Sequence, residues 1–476
     1  MSTPVVVQGT AVQPPFGGSP QPAGDFGGAT QPHGGNGDNE ATRTGCKDPI
    51  FALLFYGNVI AMAAVAAVYG PAAFDETEQS ATYDAYLVTV TVTAVIALLF
   101  SGLGLLVMMK FPETIIKASL LFVVAMSLVW CIISFMAGQI IAGVFGLIFF
   151  AIGVCYARAV WSRIPFATIN LITGITAIQA NFGVTTFAYL FAALGVGWSI
   201  LWGIAFAGVF EYTYECDAFG NCSDPNYGFM FLLFLSFFFT HQVLQNSVHV
   251  TVAGTVGTWW VAPEENGCCG KAVWNSFIRT ITTSFGSICF GSLLVAILQA
   301  LKALANQAQA EGDAGILACI AECIISCLAS ILEYFNKWAF IYVGVYGYGY
   351  LEAGKNVFEL FRNRGWEAVI ADDLVGNALF LVSVIVGGLM GVVGIILEAT
   401  TDWFEDAGGD ATLVAFLLGF IVGLAVSSIL LSTIASAVNC VIVMFADAPG
   451  DLQQNHPELS QRMRDTWSTI YPGSVQ

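Results

Sequence analysis

Within residues 332–364, LEYFNKWAFIYVGVYGYGYLEAGKNVFELFRNR, Tyr342, Tyr346 and Tyr350 recur every fourth position. In a helix that spacing places them on one face. Aromatic faces attract quaternary ammonium groups, which have no proton to donate, by about 0.5–2 kcal/mol per contact. Several rings together bind such a cation and still release it. Trp198 and Trp202 form a second aromatic pair at i, i+4, and Gln242 and Gln245 are near neighbours that add hydrogen-bonding groups. Glu352 or Glu333 offers a counter-charge. The same stretch carries Asn336, Lys337 and Lys355 and is interrupted by Gly344, Gly347, Gly349 and Gly354. Hydrocarbon penalises unsatisfied polar groups and broken helices, so a water- or substrate-filled cavity beside the segment is the simplest account. The competing account is close helix packing, with glycines at contacts and tyrosines in interface belts.

Other chemistry is poorly supplied. No catalytic set emerges, which argues against an enzyme. His241 and His249 lie two turns apart without acidic neighbours and read as packing residues, and no phosphate-binding loop is present. Cys319, Cys323 and Cys327 form a helical stripe without histidine, a weak basis for a metal site, and nothing calls for a cofactor. A net charge of -18 excludes nucleic acid as a natural partner.

The elements that position these residues must be membrane helices. Charged residues make up 10% and hydrophobic residues 57% of the chain, whereas soluble domains carry about 25% charge. The expected fold is all-α, a polytopic bundle of about ten spans, each needing roughly 20 apolar residues. Candidate spans cover 49–70, 85–109, 112–136, 138–160, 184–210, 228–255, 284–304, 336–353, 374–397 and 412–445. Phe166–Gly183, with Asn170, Gln179 and Asn181, reads as an amphipathic helix on the cytoplasmic face, and Gly315–Phe335 as a half-buried or re-entrant helix. Residues 1–46, rich in Gly, Pro and Gln, read as a disordered cytoplasmic tail, 47–447 as the membrane domain and 448–476 as a cytoplasmic C-terminal tail. No apolar stretch near the start suggests a cleavable signal.

Ten spans put both termini on one side. The basic residues then gather on that side, all except Lys302 and Lys337, which makes it cytosolic by the positive-inside rule. The opposite loops are acidic, as in Glu211, Glu215, Asp217 and Asp224, a composition that concentrates cations or is simply solvated. Cys216 and Cys222 in one such loop are a candidate disulfide, and Asn221 begins a glycosylation sequon.

Four stretches look like signatures of a known family. They are Val248-His249-Val250-Thr251-Val252-Ala253-Gly254-Thr255-Val256-Gly257-Thr258-Trp259-Trp260, then Ser284-Phe285-Gly286-Ser287 through Gly291 to Leu293, then Tyr334-Phe335-Asn336-Lys337 through Tyr346-Gly347 to Phe361, and finally Phe445-Ala446-Asp447 with His456-Pro457-Glu458-Leu459. In these the chain resembles the choline transporter-like family, and its short loop from Pro71 to Asp84 is closest to the fungal and protist branch. The resemblance implies ten spans, cytosolic termini, a plasma-membrane location and transport of choline or a related organic cation by a secondary transporter or facilitator, with exchange for protons. Two other classes fit the residues alone: a non-transporting membrane scaffold whose tail recruits partners, and an ion channel.

Overall fold

The computed structural model describes residues 45–71, 82–213, 227–310, 316–364, 367–401 and 411–470. These residues form α-helices and short 3-10 turns: α1 Pro49–Tyr69, α2 Thr82–Lys110, α3 Pro112–Met136, α4 Ile140–Val160, α5 Ile164–Ala180, α6 Gly183–Thr213, α7 Tyr227–Val261, α8 Lys271–Ile281, α9 Phe285–Ala310, α10 Ile316–Tyr346, α11 Tyr350–Arg364, α12 Glu367–Thr401, α13 Ala411–Asp447, α14 Pro449–Asn455 and α15 Pro457–Ile470. Prolines stand in the first turn of α1, α3 and α5, where the missing N–H costs nothing. Ten helical runs among the described residues are long and apolar enough to cross a membrane. Side chains such as Leu53, Leu99, Ile141 and Ile421 stay exposed on them, as a lipid-facing surface requires. The chain is therefore an all-α polytopic membrane bundle.

Two elements differ from their expected form. Gly315–Phe335 and 336–353 are not a re-entrant piece followed by a span. Residues 316–346 make one continuous helix, and the chain breaks only at Gly347–Gly349 before α11 begins. Glu322 and Glu333 made the first half look too polar for hydrocarbon, yet Glu333 is exposed and accepts a hydrogen bond from Gln299 at 2.6 Å. The span count is preserved because two expected pieces merge into one helix. The helix expected at 166–183 forms as α5, but it does not lie flat on lipid. Most of it is buried under α13, α12 and α15. Some of its polar groups bond back to the helix: Asn170 donates to Phe166 O at 2.9 Å, and Thr173 donates to Ile169 O at 2.8 Å. The strongly amphipathic helix is instead α8, which exposes Trp274 and Ile278.

Both the start of α1 and the end of α13 lie at one face of the bundle, called here the terminal face. With 35 and 37 residues, α7 and α13 are about 50 Å and longer at 1.5 Å per residue. A hydrocarbon core of about 30 Å cannot contain them. Their ends project together at the terminal face, where α5, α14 and α15 pack between them. Thr173 meets Met463, and the rings of Phe166 and Phe445 each meet Trp467.

Packing divides the bundle. On one side α7 carries α6, α8, α9 and α10, with α1 against α6 and α9. On the other, α12 and α13 run close together, with α2 beside both. Small residues permit that pairing: a Cβ on Gly419 would stand 2.3 Å from Met390 O, and one on Gly394 2.2 Å from Ala415 O. Although α7 also touches α13, the backbones of α10 and α13 approach only locally. Between α10 and the α12–α13 pair runs a seam filled by side chains.

Candidate functional site

The α10 wall of the seam carries aromatic rings at four-residue steps: Tyr334, Trp338, Tyr342 and Tyr346. The facing ridge of α13 carries Ser436, Asn439, Cys440, Met444 and Asp447, and α12 adds Asp372. In the deeper layer Lys337 forms an ion pair with Asp372. The Lys337 ammonium also lies 4.5 Å from the centre of the Tyr334 ring and 5.8 Å from that of Trp338. The Asn439 side chain lies beside the Asp372 carboxylate. From α7, His249 bonds Ser436 Oγ through Nδ1 and Lys337 O through Nε2, both at 2.7 Å. The neighbouring Asp373 accepts from Tyr156 Oη at 2.6 Å. Side-chain exposures of 30% for Lys337 and 14% for Asp372 show that the pair is not sealed off. An ammonium, a carboxylate and aromatic faces are thus assembled between two of the membrane-length helices.

Nearer the terminal face the rings of Tyr342 and Tyr346 stack at 5.8 Å, and those of Tyr346 and Tyr348 at 5.6 Å. Tyr346 Oη donates to Asp447 Oδ2 at 3.4 Å. This layer repeats part of the chemistry of the deeper one, aromatic faces beside a carboxylate.

The break after Tyr346 explains the geometry. Gly347 has φ of +70°, a left-handed conformation that glycine adopts without steric penalty. It turns the chain so that Tyr348, not Tyr350, continues the stack. Tyr350 swings away to the α9 side, where its ring packs on Phe290 at 4.8 Å and its hydroxyl donates to Asn336 Oδ1. Asn336 in turn donates to Gly291 O at 2.8 Å. Burial pushes the Tyr350 phenol up to about 12, so it keeps the proton it donates.

Both ends of the break are held. Arg279, from α8, donates to Gly344 O in the last turn of α10. Burial pulls its pKa below the ordinary value, yet a guanidinium remains charged in proteins. On the other side, Asp48 accepts from the Tyr350 backbone N–H at 2.9 Å and from Ser287 Oγ at 2.7 Å. Lys47 N–H donates to Thr283 O at 2.9 Å, so residues 47–48 form a strap across the start of α9.

The residues expected to bind a cation are dispersed. Tyr342 and Tyr346 sit in the seam. Trp198 and Trp202 lie in a cluster of α1, α6 and α7 with Met62, Ala66 and Leu233, and Trp202 Nε1 donates to Leu233 O at 2.8 Å. Gln242 accepts from Asn246 at 3.3 Å, and Asn246 also reaches Ser292. Gln245 is exposed on α7, and Glu352 is exposed in the first turn of α11, away from the tyrosine stack. The expectation that Tyr342, Tyr346 and Tyr350 share one helical face fails at Gly347. Cys216, Cys222 and Asn221 lie outside the described residues.

Sequence reasoning missed Asp372 because the ninth span was expected to begin at 374, just beyond it. It missed Tyr334 and Trp338 as site residues although their spacing continues the tyrosine series backward. The four signature stretches turn out to be neighbours. Gly254 and Gly344 let α7, α8 and α10 meet at Arg279, Gly286 admits the strap, and Asp447 receives Tyr346. His456 stacks on Trp259 at 4.1 Å.

Ten membrane-length helices among the described residues, with an ion pair between two of them, define a multi-pass membrane protein. Residues 144–449 match the family described as plasma-membrane choline transporter, and the chain belongs to that family. Among its relatives, Protein PNS1 of Mycosarcoma maydis is 32% identical over 396 residues, covering 79% of this chain and 73% of that protein. Protein PNS1 of Cryptococcus neoformans var. neoformans is 28% identical over 479 aligned positions, covering 92% and 84%. A CTL-like protein of Dictyostelium discoideum is 28% identical over 381 residues, covering 79% and 65%.

Proposed function

We propose that this transporter carries choline or a closely related quaternary amine across the plasma membrane, and that the solute passes along the seam between α10 and the α12–α13 pair. The reading is carried by Lys337. Its ammonium is already lodged between the Asp372 carboxylate and the faces of Tyr334 and Trp338, within an apolar span. A carboxylate and two aromatic faces are groups that bind organic cations, and a solute cation would take them in place of the Lys337 ammonium. The Tyr342–Tyr346–Tyr348 stack beside Asp447 forms a second station nearer the terminal face, which is the cytosolic one. A solute would move between the stations as the two halves of the bundle shift, and the break between α10 and α11 gives one wall a joint. Proton exchange supplies a driving force.

The test is labelled-choline uptake into vesicles containing the purified protein, with an outward or inward proton gradient imposed. Saturable uptake that exceeds protein-free vesicles and responds to the gradient is expected. Uptake equal to that of empty vesicles under both gradients would overturn the reading. Saturable uptake indifferent to the gradient would remove proton exchange from it.

A further inference from the structure

We propose that Asp48 and Arg279 are positioning residues that clamp the α10–α11 elbow from its two sides, and that releasing this clamp moves Tyr346 and Tyr348 and so opens the terminal-face end of the seam. The first half stands on geometry alone, and the second rests on the transport reading.

A helix ends in unpaired carbonyls bearing partial negative charge and begins with unpaired amides bearing partial positive charge. The elbow presents one of each, with three residues between the two helices. The positively charged Arg279 meets the carbonyl end of α10, at Gly344. The negatively charged Asp48 meets the amide end of α11, at Tyr350. Each charge has the sign its helix end demands, and neither comes from the elbow itself. Arg279 belongs to α8, and Asp48 to the strap before α1. Between the two contacts lie Gly347, at φ +70°, and Tyr348, whose ring stacks on Tyr346. Any rotation at Gly347 therefore displaces the rings that flank Asp447.

The surroundings are shaped for the clamp. A Cβ on Gly286 would lie 2.2 Å from Lys47 O and 2.4 Å from Asp48 O, so only glycine lets the strap lie against α9. A Cβ on Gly254 would lie 2.7 Å from Arg279 Nη2. Asp48 itself has φ of +49°, a conformation that persists in a non-glycine residue only where neighbours enforce it. Both contacts come from outside the elbow, so losing either one leaves the internal hydrogen bonds of α10 and α11 in place.

The experiment combines amide hydrogen exchange over residues 344–353 with choline transport, using the full chain in lipid nanodiscs and vesicles. Asp48→Ala and Arg279→Gln are expected to speed exchange at residues 347–353 at least tenfold. They should leave exchange along α2 and α3 unchanged and alter the maximal transport rate more than threefold with KM within twofold. Arg279→Lys, which keeps the charge, should recover part of both effects. Asp48→Asn, which keeps the shape and loses the charge, serves if the alanine variant does not fold, and it too should loosen the elbow. Unchanged elbow exchange in Asp48→Asn and Arg279→Gln would overturn the clamp. Faster exchange with an unchanged maximal rate would overturn its gating role. Absence of choline uptake by the unmodified protein would sink the gating half together with the substrate reading, while exchange still decides the clamp.

Discussion

Lys337 and Asp372 each occupy a place where an isolated charge is costly, and each is tolerated because the other is present. Breaking a fully buried pair by removing one partner typically costs about 3–5 kcal/mol, more than replacing both with apolar groups, and this partly exposed pair falls below that range. Lys337→Met is accordingly expected to lower thermal stability sharply, and Lys337→Met with Asp372→Leu to recover much of the loss, as read by melting of the purified protein. For Tyr346→Ala, loss of one cation–aromatic contact of about 0.5–2 kcal/mol corresponds to a rise in transport KM of roughly 2- to 30-fold, with the folded fraction unchanged. At this scale the sequence was informative where periodicity survived. Tyr342 and Tyr346 could be placed together because one helix carries both. Tyr350 could not, since a single left-handed glycine between them reverses which tyrosine comes next on the face. Asp372 was hidden for another reason: it lies just before the expected start of the ninth span, and its partner Lys337 sits on another helix, a pairing no local pattern announces.

Helix existence was legible along almost the whole chain, and helix surroundings were not. Apolar run length gives a span directly, but α5 shows that a run containing Asn170 and Thr173 can be buried by protein as readily as it can lie on lipid. In α10, Glu322 and Glu333 made one helix read as two pieces, because composition was weighed without knowing that Glu333 faces outward. The α10–α11 break yields a prediction here. Gly347→Ala forces a side chain into the left-handed region at a cost of about 1–2 kcal/mol, so the unfolding free energy should fall by that amount and elbow exchange should rise. Gly286→Ala acts on the same element from the opposite side. It drives a methyl into the strap's carbonyls, and overpacking of this kind costs about 1–3 kcal/mol. Larger damage to the elbow than to α9 in hydrogen exchange is the expected signature.

For the molecule as a whole, the count of ten spans was readable because hydrocarbon thickness sets a length that no soluble fold imposes. Their partition into two packed groups with a seam was not readable, because helix–helix contacts in lipid depend on small residues whose partners cannot be inferred from one sequence. Arginine and lysine placement argues that the terminal face is cytosolic. Epitopes added at both chain ends should therefore be shielded from antibody in intact cells and exposed together on permeabilisation. One epitope accessible without permeabilisation would contradict the orientation.

The strap also bears on how the protein is made. Asp48 emerges just ahead of the first membrane helix, but Ser287 and the Tyr350 amide that receive it lie 239 and 302 residues further along. At about 5–20 residues per second, ribosomes need roughly 15–60 s to deliver the second of them. Until then the first helix resides in the bilayer without its final anchor, and a nascent chain that stalls before Tyr350 carries a leading end that cannot complete its docking. Quality control that recognises an undocked leading end would therefore monitor synthesis well past the midpoint of the chain.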